Sequence, residues 1–163
     1  MPSLPKGDSS TVECRLARED DAPALSRTRV AFWTDQISKG CLDHPNIGTE
    51  EILVETRSLI RRARTILFLA TDGAAIAAYV LAQMKFVPGP QGGSISSIEE
   101  IYVGEGYRRS SLGHQLVEKT LAQLKDLGAT RIQLRVLDRN DTAKSFWQRN
   151  GFSPSVVIYE HLK

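Results

Sequence analysis

The chain has 163 residues, enough for one domain with a real core. Hydrophobic residues make up 41% and charged residues 25%, ordinary globular values, and a formal net charge of +2 gives no bulk attraction for nucleic acid or a membrane surface. Two cysteines, Cys14 and Cys41, are too few for a disulfide framework and read as free thiols in a reducing cytosol.

Residues 1–10 hold Pro2, Pro5, Gly7 and three serines and read as a mobile tail without the apolar core of a signal peptide. Residues 11–163 are expected to form the domain. Residues 12–17 predict a short strand. Glu19, Asp20 and Asp21 before Pro23 predict a helix start, because carboxylates favour the first turn and proline tolerates it. Leu25, Val30, Phe32 and Trp33 then suggest its buried stripe, fading near Ile37. Residues 38–48, with two glycines, a proline and an asparagine, predict a loop. Cys41 and His44 have C-x-x-H spacing, but with no second pair a loop coincidence is preferred to zinc.

Thr49 is the expected N-cap of a second helix, with Ile52, Leu53, Leu59 and Ile60 inward and Arg61, Arg62 and Arg64 at its C-terminus. Residues 65–71 and 74–85 predict strands around an Asp72-Gly73 hairpin. Residues 86–94 predict a turn and 95–103 the next strand. From Ser111 the period becomes helical, with Leu112, Leu116, Thr120, Leu124 and Leu127 on one face and Gly128 ending the helix. Ile132, Leu134 and Val136 alternate with polar residues, the mark of a strand. Ala143, Phe146 and Trp147 lie at helical spacing before Asn150-Gly151, and residues 156–159 predict a last strand. The expected order is βααβββαβαβ, an α/β chain with one mixed sheet covered by helices. No apolar run approaches the roughly 20 residues needed to cross a bilayer, and the cytoplasm is the expected compartment. Asn140-Asp141-Thr142 matches a glycosylation sequon, which carries no meaning there.

The chemistry concentrates where Ile98-Glu99-Glu100-Ile101-Tyr102-Val103 runs through a turn into Arg108-Arg109-Ser110-Ser111-Leu112-Gly113. A helix start exposes unpaired N–H groups and positive partial charge, which makes it an anion site. Arg108 and Arg109 add full charges, and Gly113 allows close approach. Gly104 and Gly106 fail the dinucleotide fingerprint, since Arg109 stands at its third glycine.

A second segment follows: Asn140, Ala143, Phe146, Trp147, Gly151 and Phe152 at fixed offsets. The two segments together resemble the GNAT acetyltransferase superfamily. That family shows a strand, a loop Arg/Gln-x-x-Gly-x-Gly/Ala, a long helix, a strand, then Asn-x-x-Ala-x-x-(apolar)-Tyr-x-x-x-Gly-Phe. The motif match covers residues 98–152, and the element order extends it over nearly the whole chain.

The resemblance implies a mostly antiparallel central sheet with helices on both faces, and acetyl-CoA as co-substrate without a metal. Pantetheine would pair with the strand backbone at Ile101, Tyr102 and Val103. The diphosphate would rest on amides of Arg109, Ser110, Ser111, Leu112, Gly113 and His114, with Arg108 beside it. Asn140 and Ala143 would meet the cofactor across the cleft, with Phe146 and Trp147 as walls. Ser111 replaces the first motif glycine, and Trp147 stands where the family often has the tyrosine that protonates the leaving thiolate. An indole is no usable acid at neutral pH, so another group or water supplies that proton, with Tyr102 and Tyr159 as candidates.

An ammonium must lose a proton before it can attack a thioester, and Glu99 and Glu100 are the candidate bases. Successive strand residues point to opposite faces, so one of the two is expected in the cleft, whereas likeness to polyamine-type members favours both. An amide near Tyr102 or Val103 would hold the oxyanion. The acceptor, a small-molecule or peptide amine, should meet the 38–48 loop with Phe32, Trp33 and Asp35. Direct attack in a ternary complex is expected, since neither cysteine sits in a nucleophile motif. A homodimer through a sheet edge or the last strand is implied by the resemblance alone. Two rival readings are a non-catalytic acyl-CoA-binding module and a nucleic-acid or partner-binding domain using Arg57, Arg61, Arg62 and Arg64.

Overall fold

The apolar runs pair into one five-stranded sheet in the order β1-β2-β3-β4-β5. The structure, a computed structural model, describes residues 12–40, 48–90, 92–159 and 161. Its strands are β1 (Val12–Leu16), β2 (Thr65–Asp72), β3 (Ala75–Val87), β4 (Gly93–Val103) and β5 (Arg131–Leu134). Its helices are α1 (Ala22–Ser38), α2 (Thr49–Arg61), α3 (Leu112–Asp126) and α4 (Asp141–Arg149). The pairings β1–β2, β2–β3 and β3–β4 are antiparallel, and β5 joins β4 in parallel. This is the mixed, mostly antiparallel sheet expected from the resemblance.

The two-residue period of β3 sorts its side chains between two helical layers. Tyr79 and Leu81 join Leu25 of α1 and Leu59 of α2 on one face. Ala78, Val80 and Ala82 join Leu112, Leu116 and Leu124 of α3 and Trp147 of α4 on the other. The hairpin between β2 and β3 closes at Gly73, whose φ of 59° suits glycine.

Three expectations need correction. The inward face of α1 consists of Ala22, Leu25, Ser26 and Arg29, whereas Val30, Phe32 and Trp33 are only half-buried. A hydrophobic pattern cannot announce an arginine that is buried because a carboxylate meets it. Gly48, not Thr49, caps α2, and Thr49 is its first residue. Residues 156–159 form no strand: Val156, Val157, Ile158 and Tyr159 are all exposed. β-branched residues favour a strand only when a ladder partner is available, and among the described residues this run pairs with none.

Arg61 of the basic run is held by Glu19, Nη2 to Oε2 at 2.8 Å, an exposed surface pair. Cys14 sits half-buried on β1, and burial pushes its thiol up against the opposing charge of Lys119. The expected tail over residues 1–10, the Cys41–His44 spacing and most of the 38–48 loop lie outside the described residues. Among the described residues no helix is long and apolar enough to cross a membrane.

Leu116 and Leu127 share the predicted face of α3, yet Leu116 is 0% exposed and Leu127 51%. Leu116→Ala should therefore cost about 2–5 kcal/mol in urea unfolding, through lost contacts and a cavity. Leu127→Ala should stay within about 1 kcal/mol.

Candidate active site

The site begins where two strands part. The β4–β5 ladder runs from Ile95↔Arg131 to Ile98↔Leu134 and stops. β4 continues to Val103, still paired with β3. Against β3 the register jumps from Ala82↔Ile98 to Leu81↔Glu100, so Glu99 is an extra, bulged residue. A bulge bends its strand and breaks the local ladder, and here it falls at the point of separation.

Beyond the bulge, backbone direction follows from one bond. Gly104 N–H donates to Ala77 O at 2.8 Å, toward β3. Hydrogen-bonded and non-bonded pairs alternate in an antiparallel ladder. Glu100 and Tyr102 therefore pair with β3, while Ile101 and Val103 turn their amides into the gap. Of the two amides considered for an oxyanion, Val103 faces the opening and Tyr102 does not.

The loop after β4 leads into α3. Among the described residues, the amides of Arg109, Ser110, Ser111, Gly113 and His114 have no backbone acceptor, and Leu112 N–H reaches only the Ser110 hydroxyl at 3.4 Å. Arg109 holds φ at 65°, the one non-glycine residue with positive φ among those described. That conformation costs about 1–2 kcal/mol for a residue with a Cβ. Ser110 Oγ donates to Tyr107 O at 2.6 Å, and Ser111 Oγ accepts from Gln115 Nε2 at 2.7 Å. The arrangement leaves a row of amides at a helix start with the Arg109 charge beside it, which fits an anion such as a diphosphate.

Arg108 is used differently from the expectation. Its Nε donates to Val103 O at 3.1 Å, its Nη2 lies 3.2 Å from Asp35 Oδ1, and its guanidinium covers the Tyr102 ring at 5.9 Å. It thus bridges the loop to α1 rather than standing among the free amides. Asp35 also takes Lys39 Nζ at 2.6 Å. Burial pushes the Asp35 carboxyl up, but the hydrogen bonds and charges of Lys39 and Arg108 outweigh it and hold the pKa below its usual value. Phe32 packs edge-on against Trp33, Tyr79 and Tyr102, so Phe32 and Trp33 belong to the aromatic cluster under α1.

The far wall comes from α3 and α4. A Cβ built on Gly113 would lie 3.4 Å from Phe146 Cε2 and from Val103 Cγ2, so these side chains close over the glycine. Phe146 keeps part of its surface, but Trp147 is 7% exposed and packs against Phe146 and Phe152 in the core. Of the two expected wall residues, Phe146 thus offers more open surface than Trp147. Asn140 caps α4, Oδ1 accepting from Ala143 N at 3.1 Å, which leaves its NH2 to donate elsewhere. His114 Nδ1 meets Asn150 Oδ1 at 2.6 Å and ties the start of α3 to the end of α4.

The two glutamates have opposite surroundings. Glu99 is exposed. Glu100 is 6% exposed, and Arg29 reaches both its oxygens, Nη2 to Oε1 at 2.7 Å and Nε to Oε2 at 3.0 Å. Tyr79 also donates to Glu100 Oε2, at 2.8 Å. Burial and the Glu100 carboxylate raise the Tyr79 pKa well above its usual value. Glu100 is thus closed to solvent with three donors on its two oxygens, whereas Glu99 stands open to it. Arg29 had no signal in the hydrophobic pattern; only an arginine on an otherwise apolar helix stripe could have suggested it.

The sequence profile of the Acetyltransferase (GNAT) family matches residues 30–152. The chain belongs to the GNAT acetyltransferase family. No curated protein matches the sequence. Among solved structures, the GNAT fold recurs in an aminoglycoside N-acetyltransferase AAC(6')-Iy in complex with CoA, at 15% identity and a TM-score of 0.78 over 96% of this chain and 97% of that one. It recurs in the aminoglycoside 6'-N-acetyltransferase AAC(6')-Ih from Acinetobacter baumannii, at 24% identity and a TM-score of 0.73, covering 93% and 98%. An aminoglycoside acetyltransferase from an uncultured soil metagenomic sample, in complex with sisomicin, shares 15% identity and a TM-score of 0.71 over 94% and 97%. In this GNAT chain, no group of three or more His, Cys, Asp or Glu residues that could hold a metal is found among the described residues.

Two measurements test this GNAT site. Gly113→Ala adds a methyl at ordinary contact distance and removes a helix glycine, so its Tm should hold or rise. Affinity for CoA, by calorimetry, should fall because the added methyl presses on Phe146 and Val103 beside the amides; unchanged affinity would remove Gly113 from the site. Asp35→Asn should lower stability at pH 7. That difference should fade as pH drops below about 3.9, the usual carboxylate value, and vanish below the lowered folded-state value.

Proposed function

We propose that this chain is an acetyl-CoA-dependent N-acetyltransferase that moves the acetyl group to a primary amine by direct attack in a ternary complex. The observation that carries the reading is the coincidence of three features: the ladder ends at Ile98, the strand bulges at Glu99, and outward amides follow at Ile101 and Val103. That edge leads straight into the unpaired amides of the α3 start. The first stretch suits the amides of pantetheine and the second suits a diphosphate.

Acetyl-CoA supplies an activated acyl group. The chain's own residues hold and move charge around it. Glu99, directly or through water, takes the proton of the acceptor ammonium. The Val103 or Ile101 amide donates to the carbonyl oxygen as negative charge develops there. Asn140 contributes its NH2 across the gap. With Trp147 in the core, the thiolate proton comes from water or from Tyr102, which lies between Ile101 and Val103 in β4.

Phe32, Trp33 and Asp35 of α1 flank the acceptor side. The similar enzymes named for aminoglycosides favour a small cationic amine as acceptor. A reducing cytoplasm fits the unpaired thiol of Cys14. A homodimer belongs to this reading, with the exposed run Val156 to Tyr159 as its surface. A single-chain mass by light scattering at working concentration would remove it.

Release of CoA thiol from acetyl-CoA should be stimulated by at least one member of a panel of polyamines, aminoglycosides and lysine peptides. Tight CoA binding with no release over any amine would make the chain a CoA-binding module instead. Glu99→Gln should lower kcat/KM at neutral pH by roughly 10²–10⁴-fold and remove the acidic limb of the pH profile. Retention of that limb would exclude Glu99 as the base.

A further inference from the structure

Arg29 is the most deeply buried charge in the chain's α1 layer, at 2% exposure, and it ties α1 directly to α2 and β4 and, through Glu100, to β3. It lies on α1. Through Nε and Nη2 it forks onto Glu100 of β4, and through Nη1 it donates to Thr56 Oγ1 of α2 at 3.0 Å. The same Nη1 lies 3.2 Å from Glu55 Oε2, also on α2. Glu100 in turn accepts from Tyr79 of β3. Burial works against the Arg29 charge, but the hydrogen bonds and charge of Glu100, with Glu55 and Tyr79, raise its pKa overall.

Such a pair is a poor device for stability. Two charges removed from water lose several kcal/mol of solvation each, and well-packed apolar residues of similar volume often do as well or better. What the pair does supply is direction, because a bidentate guanidinium–carboxylate fork fixes both partners in a plane. Its place along the chain is specific. Glu100 stands between the bulged Glu99 and Ile101, the first residue to turn its amide into the gap. A bulge locally disrupts a ladder, and here the next residue is pinned by Arg29 of α1, itself held by α2, and by Tyr79 of β3.

We propose that the Arg29–Glu100 pair, completed by Tyr79, is a positioning clamp that sets the bulge in β4 and thereby aims Glu99 and the open strand edge at each other. Arg29 and Glu100 touch no substrate; they act through β4. This inference rests on the N-acetyltransferase reading for its effect on turnover, but its effect on the strand stands by itself. An error of about 1 Å in the placement of reacting groups can cost 10²-fold in rate, so a clamp of this kind acts on kcat rather than on cofactor affinity.

The test replaces the whole polar cluster by apolar residues of similar size: Arg29→Met, Glu100→Met and Tyr79→Phe in one chain. Thr56 keeps its own bond to Ile52 O, and Glu55 is exposed, so no buried partner is left stranded. The expected variant folds with a Tm near that of the parent and binds CoA within about threefold, but its kcat per CoA-titrated site falls at least tenfold. Hydrogen exchange supplies a reading that needs no activity. The amides of Glu100 and Tyr102 should exchange at least tenfold faster than in the parent, with those of Leu67 and Leu69 in β2 unchanged. Arg29→Lys, which keeps the charge but loses the fork, should lie between the two on both scales and stands in if the triple variant does not fold.

Parental exchange at Glu100 and Tyr102 together with parental kcat per site would overturn the clamp. A parent chain that binds CoA and acetylates nothing would overturn the proposed reaction instead, and the exchange comparison would then decide the clamp alone.

Discussion

Everything at this site depends on β4 keeping one neighbour while losing the other. A parallel ladder holds only while both strands advance in step, and the extra residue at Glu99 puts β4 out of step just past Ile98. The far side of β4 is then left with outward amides at Ile101 and Val103. Backbone donors of this kind must find an acceptor in water or in a ligand. The sheet therefore creates a recognition edge without any dedicated side chain. Continuity of the chain sets the α3 start next to it, so a second row of amides extends the first. A long, flexible molecule with amides at one end and a diphosphate at the other suits both rows.

Charge is divided between holding the scaffold and meeting ligands, and burial decides which residue does which. Glu100 and Arg29 satisfy one another below α1 and are closed to solvent. Glu99, one residue earlier, stays exposed because the bulge removes it from the ladder. Among the arginines of the loop, Arg109 remains beside the free amides while Arg108 turns back to Asp35 and the Val103 carbonyl. The Arg108 link joins the start of α3 to the end of α1, so the side that would receive an acceptor and the side that would hold a diphosphate share a residue.

The likeness to solved GNAT structures extends over almost the whole chain at identities between 15% and 24%. Few positions need to be kept for that. The central strand β3 is buried from Ala77 to Ala82 and accepts apolar residues of fitting size on either face. The Arg29–Glu100 pair, by contrast, is specific in its chemistry, because removal of one partner alone leaves the other charged and buried.

Much of this was legible in the sequence. Period and turn chemistry indicated the first five strands and the four helices, and the two spaced motifs pointed to an anion site at the α3 start. These are local properties: a turn, a cap or an apolar stripe is decided within a few residues. What the sequence did not show shares one cause. Arg29 is buried because Glu100, 71 positions away, meets it; Trp147 is core because Phe146 and Phe152 enclose it; residues 156–159 stay exposed because no strand edge receives them. The sequence by itself determined the four helices and the five paired strands, and it marked the start of α3 as a place of exposed amides. Tertiary structure alone decided which glutamate faces solvent, which arginine is spent inside, and where β4 lets go of β5, because each of those depends on partners that only folding brings together.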